Sequence, residues 1–343
     1  MVHSSEHWMS DIYESIKDKA LNEICWPATH DSGMSFVNDD LWSVGVNDCN
    51  VVTQNKGIDD QLKAGARVFD FRPFMWISKR GGDLYLGHFN YDPASGACGE
   101  DMASALKAVK SFIDREGNEK EVVFLHFSHC YKWDTGMFEI DKMVLDPFSY
   151  DDIESLRREI EGFIGDVMYV STDEKLNVGT LSLKDVVESG RRVIVTIEDK
   201  NFSSDPKGGF FTIQTPRYGY IHDQGKCVTY SDSVNVKAFY QYAGTDDLKD
   251  MEAKERRMLE KYSACYKSGD GIFSGFSWTL TRVDWAFGKC IEKLAEEANN
   301  AFTGKIEDYL KDGVITKEIK PSMVWFDYYS DSCLEPLIKL NTL

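Results

Sequence analysis

Short apolar runs alternate along the chain with stretches in which apolar residues recur every three or four positions. The first pattern predicts buried strands and the second predicts amphipathic helices. The predicted strands cover residues 21–26, 66–73, 83–88, 121–127, 192–198, 220–223, 272–279 and 322–329. The predicted helices cover residues 8–20, 57–65, 101–116, 150–165, 179–188, 246–266 and 283–311. Because they alternate without a linker or a change in composition, we expect parallel β/α units in one α/β domain over residues 1–343.

The number of these units predicts a single-domain (β/α)8 TIM-like barrel. Barrels of this kind carry their active groups at the carboxyl ends of the strands. Five residues with chemically active side chains fall at or near predicted strand ends: His30, Asp70, Arg72, His88 and Asp327. We therefore expect them to meet at one end of the barrel.

The bulk composition excludes some classes of function. The 343 residues are 42% hydrophobic and 13% aromatic, which is enough for a substantial core. The net charge of −18 argues against nucleic acid as a partner and against adsorption to anionic membranes by charge alone. The amino-terminal residues lack the regions of a signal peptide, so we expect a soluble chain, secreted if a leader has been removed. Eight cysteines without a CxxC pair leave disulfides and buried thiols equally open.

The segment 26–33 is an apolar run that stops at a proline and then carries His30 and Asp31. Side chains placed where a buried strand emerges into a loop are well positioned for chemistry. Asp70 and Arg72 are two residues apart, so they share one face of their predicted strand. Two histidines with an arginine and carboxylates suit acid–base catalysis on a group that develops negative charge, such as a phosphodiester.

Four segments, in this order, resemble the sequence blocks of one known family. They are Trp-Pro-Ala-Thr-His-Asp-Ser-Gly at 26–33, Gly-Ala-Arg-Val-Phe-Asp-Phe-Arg at 65–72, Leu-Tyr-Leu-Gly-His at 84–88 and Trp-Phe-Asp-Tyr at 325–328. The chain resembles the X-domain family of phosphatidylinositol-specific phospholipases C (PI-PLC), and its last block resembles the metal-independent bacterial type. The similarity extends over about residues 20–330, and the four blocks together are specific.

This resemblance implies a distorted (β/α)8 barrel and a phosphoric diester lyase of the phospholipase C type. The substrate class is phosphatidylinositol-like, and the product is a 1,2-cyclic inositol phosphate. The resemblance implies that His30 is the general base toward the inositol 2-hydroxyl and that His88 is the general acid toward the diacylglycerol oxygen. Asp327 would orient the first histidine and Asp70 would support the second. The residues given catalytic roles are His30, Asp31, Asp70, Arg72, His88 and Asp327.

The residue at position 72 bears on the cofactor. Metal-dependent members of the family carry acidic residues on this strand, where an oxygen-rich site suits calcium. Here Arg72, positioned by Asp31, would hold the phosphoryl oxygens and would repel a cation. We therefore expect no metal site, no cofactor and no calcium requirement.

The headgroup pocket departs from the bacterial pattern, in which basic side chains on the middle strands grip the inositol hydroxyls. The corresponding places hold Ser128 or His129 and Glu198 or Asp199, and Asp223 matches an acidic contact. We expect Ser128, Glu198 and Asp223 to contact the substrate. Plain phosphatidylinositol, another polyol and a glycosylated headgroup all remain open.

His126 and His129 are expected to contact substrate or to be structural. Strand positions three apart face opposite sides, so these two histidines should not chelate a metal together.

Two other functions remain open. A divalent-metal barrel of the glycerophosphodiesterase or sphingomyelinase D kind needs a Glu-x-Asp pair on strand two, where the chain has Asp70-Phe71-Arg72. A non-catalytic barrel that binds phospholipid or polyol is disfavoured because both histidines and their acidic partners are present. The expected partners are a polyol phosphodiester and, transiently, a membrane surface, with no nucleic acid.

Overall fold

Eight parallel strands close into a barrel at the centre of the computed structural model. The structure describes residues 4–43, 45–90, 94–133, 145–217, 219–224, 226–283 and 288–343. Its strands are β1 (Trp26–Thr29), β2 (Val68–Phe71), β3 (Pro73–Trp76), β4 (Leu84–Asn90), β5 (Ser95–Asp101), β6 (Val123–Phe127), β7 (Tyr131–Trp133), β8 (Asp146–Pro147), β9 (Val193–Ile197), β10 (Phe210–Gln214), β11 (Val236–Phe239), β12 (Ile272–Trp278) and β13 (Met323–Phe326). The barrel order is β1-β13-β12-β11-β10-β9-β6-β2, and β2 pairs with β1 to close it. The predicted barrel is confirmed.

Helices connect and cover these strands. They are α1 (Trp8–Asp11), α2 (Tyr13–Ile16), α3 (Asp48–Val51), α4 (Ile58–Lys63), α5 (Ile77–Arg80), α6 (Met102–Ile113), α7 (Tyr150–Ile164), α8 (Leu183–Glu188), α9 (Tyr220–Gln224), α10 (Leu248–Cys265), α11 (Ile291–Lys311) and α12 (Asp331–Asn341). The longer helices start where the sequence supplies caps, as at α7, where the Ser149 hydroxyl accepts from the Asp152 backbone N–H. Within the described ranges, no helix combines the length and apolar character that crossing a membrane requires.

A second sheet of five strands lies beside the barrel, in the order β5-β4-β3-β7-β8. The chain leaves barrel strand β2 at Phe71 and continues after one residue as β3, which pairs with β4 and β7. His88 lies on β4, so it reaches the site from this accessory sheet. The prediction that residues 83–88 form a barrel strand is wrong, although they are a strand.

Two barrel strands were not predicted, and one predicted strand is a helix. Residues 220–223 belong to α9, whereas β10 and β11 complete the barrel on either side of it. The two missed strands have only five and four residues. Polar residues interrupt both runs, Thr212 and Gln214 in β10 and Lys237 in β11, so neither forms the continuous apolar stretch that predicts a buried strand.

Inward-facing positions of the barrel change from apolar to polar along the strand direction. Near the start of the strands, Trp26, Phe124 and Phe273 pack edge to face, with ring centroids 5.0 and 5.9 Å apart. Further along, a Cβ at Gly275 would lie 2.2 Å from the Tyr240 side chain, so glycine is needed to admit that ring. Beyond this layer the inward side chains are polar, and the barrel opens into a cavity.

Two disulfides and four buried free thiols answer the question that the cysteine count left open. Cys49 pairs with Cys290, and Cys227 pairs with Cys265. The free thiols are Cys25, Cys98, Cys130 and Cys333. The first disulfide joins α3 to the start of α11, and these segments follow β1 and β12 at the open end of the barrel.

A buried carboxyl on α10 makes stability depend on pH. Glu255 is fully buried and accepts a hydrogen bond from the Ser277 backbone N–H, while its Oε1 has no partner. Burial raises its pKa well above the ordinary value. Above that ordinary value the unfolded chain loses the proton that the folded chain keeps, so the free energy of unfolding falls as pH rises.

We therefore expect Glu255→Gln to remove this pH dependence. Relative to the parent protein, the variant should gain about 1.4 kcal/mol per pH unit until the folded carboxyl also titrates. Denaturant unfolding at about pH 5 and about pH 8 measures this gain. The control is Glu260→Gln, at an exposed position on the same helix. Equal pH slopes in the parent and Glu255→Gln would contradict the prediction.

Candidate active site

His30 and Asp327 are delivered by adjacent barrel strands. Each follows its strand, β1 or β13, and the His30 backbone N–H donates to the Phe326 carbonyl. His30 Nδ1 lies 2.7 Å from Asp327 Oδ1. Since the carboxylate can only accept, Nδ1 carries a proton and the other ring nitrogen, Nε2, is left as the basic atom. The Gln54 side chain holds both strand ends by donating to the carbonyls of His30 (2.8 Å) and Phe326 (3.0 Å).

One oxygen atom, Asp31 Oδ2, brings together both histidines and the arginine. It lies 2.7 Å from His88 Nδ1, 2.8 Å from Arg72 Nη1 and 4.0 Å from His30 Nε2. The carboxylate is buried, whereas the two rings and the guanidinium are partly exposed to the cavity. Side chains that follow β1 and β2 therefore meet a side chain from the accessory strand β4 around one carboxylate.

Asp70 pairs with Arg72 and not with His88. Its Oδ2 lies 2.9 Å from Arg72 Nε, and its Oδ1 accepts a 3.0 Å hydrogen bond from the Ser128 hydroxyl. The expectation that Asp70 supports His88 is wrong, because the carboxylate next to His88 is that of Asp31. The reason is geometric: Asp70 and Arg72 share the inward face of one strand, as predicted, whereas His88 approaches from a different sheet.

These contacts shift the pKa values of the site. Burial disfavours the charged form of His30, but the adjacent Asp327 carboxylate outweighs it, so the pKa of His30 is raised above its ordinary 6.5. Burial also opposes ionisation of Asp31 and Asp70, but Arg72 holds the pKa of each carboxyl below the usual range. The site thus combines ionised carboxylates, a permanent cation and a strengthened imidazole base.

Backbone strain is concentrated beside the same residues. In the described part of the chain, the non-glycine residues with positive φ are Asp31 (46°), His129 (50°) and Tyr328 (47°). Each follows a barrel strand by two residues, on β1, β6 and β13. Left-handed backbone is costly for side chains with a Cβ and is retained mainly at functional sites.

The convergent residues line a cavity of about 790 Å³. His30, Asp70, Arg72, His88 and Asp327 all line it, as do Ser128 and Glu198 among the expected substrate contacts. Glu198 follows β9, where its Oε1 accepts from the Thr215 hydroxyl at 2.8 Å and its Oε2 lies 3.4 Å from His126 Nε2. Asp223 is on α9, and its side chain lies outside the described residues.

Curated proteins with detectable sequence similarity carry one domain name. A PI-PLC X-box domain-containing protein of Dictyostelium discoideum is 26% identical over 149 residues, which cover 40% of this chain and 18% of that protein. PI-PLC X domain-containing protein 3 of Mus musculus is 28% identical over 144 residues, covering 36% and 42%. The chain therefore matches less than half the length of these relatives. No protein-family model matches the chain.

A solved structure shows the same fold over the whole length. The phosphatidylinositol-specific phospholipase C of Staphylococcus aureus aligns with a TM-score of 0.65 and 15% identity, covering 99% of this chain and 98% of that one. The chain resembles the PI-PLC X-domain proteins. It combines their sequence blocks with the barrel of the bacterial phospholipases, as predicted.

The candidate site has a feature that the sequence pattern did not predict. His126 and His129 both line the cavity, although strand alternation predicts opposite sides. Strand β6 ends at Phe127, and the positive φ of His129 turns its ring back toward the opening. The expectation that these histidines face opposite sides is therefore wrong.

Positive charge at the candidate site is supplied by Arg72. Arg72 lies between the carboxylates of Asp31 and Asp70, within 2.8 Å of each. A divalent cation between the same carboxylates would compete with a guanidinium that is already paired in both directions. In the residues that the structure describes, no group of three or more His, Cys, Asp or Glu is arranged to hold a metal ion.

Loop residues that position the site were missed in the sequence. Thr53 donates from its hydroxyl to the Asp31 carbonyl (2.9 Å), and its own carbonyl accepts from the Tyr328 backbone N–H (2.7 Å). With Gln54, it ties the ends of β1 and β13 to the segment after α3. Such residues look like ordinary loop polarity in a sequence, because their role lies in backbone contacts with distant segments.

Proposed function

We propose that the chain is a metal-independent phospholipase C-type phosphodiesterase that cleaves phosphatidylinositol-like phosphodiesters. The observation that carries the proposal is the convergence of His30, His88 and Arg72 on one oxygen of Asp31. Two imidazoles beside one guanidinium form a set suited to in-line transfer at phosphorus, with a base, an acid and a charge stabiliser. The X-domain resemblance supports the same class of reaction.

The reaction is an intramolecular transfer in this proposal. His30 Nε2 removes the proton from the hydroxyl next to the phosphate, and that oxygen attacks phosphorus. The bond from phosphorus to the diacylglycerol oxygen breaks, and His88 gives a proton to the departing oxygen. Arg72 hydrogen-bonds the phosphoryl oxygens as their negative charge is redistributed. The products are a five-membered cyclic phosphate and diacylglycerol, so atoms and charge balance without a cofactor.

Asp327, Asp31 and Asp70 are positioning residues in this mechanism. Asp327 fixes the His30 tautomer and favours the imidazolium that forms when His30 takes the proton. Asp31 holds both His88 and Arg72, so that the acid and the cation face the same phosphoryl group. Asp70 holds the other edge of the guanidinium.

The substrate side of the proposal rests on the cavity. We infer that Ser128, Glu198 and Asp223 belong to the region that receives the headgroup, and that the enzyme works in transient contact with a membrane surface. Glu198 lines the cavity, where it can accept hydrogen bonds from polyol hydroxyls. The alternative of a divalent-metal barrel and the alternative of a non-catalytic barrel each predict a different outcome in the following test.

Phosphorus NMR on a panel of phosphodiesters, with excess EDTA present, tests the proposal. We expect the signal of a five-membered cyclic phosphate to grow from phosphatidylinositol in detergent micelles, at a rate that EDTA does not change. The control is the reaction without EDTA and with added calcium, which should not accelerate it. Turnover that EDTA abolishes would favour the metal-dependent alternative, and no turnover of any substrate would favour the non-catalytic one.

A further inference from the structure

The Ser128 hydroxyl is committed to protein contacts and does not face a substrate freely. Its proton goes to Asp70 Oδ1 at 3.0 Å, since a carboxylate can only accept. Its oxygen lies 2.8 Å from His129 Nδ1. With the hydroxyl proton already donated, that oxygen must accept the second hydrogen bond from Nδ1–H.

This chain of contacts places a proton on Nδ1 of the His129 ring. A neutral imidazole with its proton on Nδ1 carries a lone pair on Nε2. Among the described residues, none forms a hydrogen bond with Nε2, and His129 lines the cavity. Removal from bulk water, together with the nearby Arg72 guanidinium, lowers the pKa of His129, so the ring stays neutral.

His129 therefore has Nε2 as its unprotonated ring nitrogen, as His30 does. In both rings, Nδ1 is held by a carboxylate, directly for His30 through Asp327 and by way of Ser128 for His129. His129 does not contact the Asp31 oxygen on which the catalytic groups converge. Its backbone nevertheless has a positive φ of 50°, a cost that an ordinary loop residue would avoid.

Glu198 lines the same cavity as His129. His126 and Thr215 fix the orientation of its carboxylate. We propose that His129 and Glu198 form a headgroup wall, in which His129 Nε2 and the Glu198 carboxylate accept hydrogen bonds from free hydroxyls of the substrate's polyol. His129, and not Ser128, is then the specificity-determining side chain after β6, with Ser128 as its positioning residue. This inference rests on the proposed function, and it identifies the polyol hydroxyls as the groups that the cavity recognises.

A pair of substrates separates headgroup recognition from chemistry. Inositol p-nitrophenyl phosphate and the p-nitrophenyl phosphodiester of cis vicinal cyclohexanediol share the nucleophile, the phosphate and the leaving group. Only the inositol compound has further hydroxyls that the headgroup wall could accept. The ratio of their kcat/KM values therefore reports recognition, because any common effect on catalysis cancels.

His129→Asn is the decisive variant. Asparagine tolerates left-handed backbone, so the loop should keep its conformation while the Nε2 acceptor is lost. We expect the inositol-to-cyclohexyl ratio to fall about fivefold to tenfold, as for the loss of one uncharged hydrogen bond. Ser128→Ala should lower the ratio less, because the His129 ring remains although its proton is no longer held on Nδ1. His7→Asn, at a histidine that contacts Asn118 near the amino end of β6, is the control.

An unchanged ratio in His129→Asn would overturn the proposal, even if kcat/KM fell equally on both substrates. If the parent protein turns over neither substrate, the proposed function fails, and binding of myo-inositol by saturation-transfer NMR then decides. Binding that His129→Asn abolishes supports the headgroup wall, and no binding to the parent overturns it. His129→Gly, which also accepts positive φ, replaces the asparagine variant if the latter does not fold.

Discussion

Replacing His30 by alanine is expected to lower kcat/KM by about a hundredfold to ten-thousandfold, the usual range for a general base. The loss should be similar for alkyl and aryl phosphodiesters, because both need the same hydroxyl to be deprotonated. Asp327→Asn should also lower the rate, since an amide can stabilise the wrong tautomer of His30. Chromogenic and phosphorus NMR assays measure the two substrate classes.

The pH profile distinguishes a base from a structural histidine. His30 must be neutral to accept a proton, and its pKa is raised above 6.5 by Asp327. Activity should therefore fall with decreasing pH along a limb that lies above the ordinary histidine value. In Asp327→Asn this limb should move to lower pH, because the carboxylate that favours the imidazolium is gone. Near-normal rates in His30→Ala, or a limb that does not move, would contradict the assignment.

The sequence could predict the end of the barrel that carries the candidate site, because local rules place its residues. His30 and Asp327 directly follow apolar strands, and Asp70 and Arg72 share a face by alternation. These features depend on a few neighbouring residues. The prediction that these residues meet needed only the rule that parallel strands end on one side of a barrel.

What the sequence could not predict depends on contacts between distant segments. Polar residues interrupt the apolar runs of β10 and β11, and the short apolar start of α9, Tyr220-Ile221, is compatible with either a strand or a helix. The carboxylate partner of His88 was misassigned, because β4 belongs to a sheet that no alternation pattern reveals. His129 was misplaced for a local reason, since a single positive φ overrides the alternation of the preceding strand.

The accessory sheet positions His88, the proposed general acid, separately from the barrel strands. His30 and Arg72 directly follow barrel strands β1 and β2, whereas His88 lies on β4 of the accessory sheet, between β3 and β5. Its contact with Asp31, 2.7 Å away, is thus a link between the sheet and the barrel. Because His88 belongs to a different sheet from His30 and Arg72, its replacement changes no residue of the strands that position the proposed base and the arginine.

His88→Ala is expected to impair the reaction according to the leaving group. Expulsion of a glycerol-type alkoxide, a strong base, requires a proton from the acid, so the loss should again be about a hundredfold to ten-thousandfold. Expulsion of p-nitrophenolate, a weak base, does not need that proton, so the same variant should lose much less on the aryl phosphodiester. His30→Ala is the matched control, since the leaving group does not change the need for a base. Equal losses on both leaving groups in His88→Ala would contradict its role as general acid and assign it to binding or structure. A loss confined to the alkyl substrate would leave His88 as the proton donor, because no contact made equally in both reactions could produce that difference.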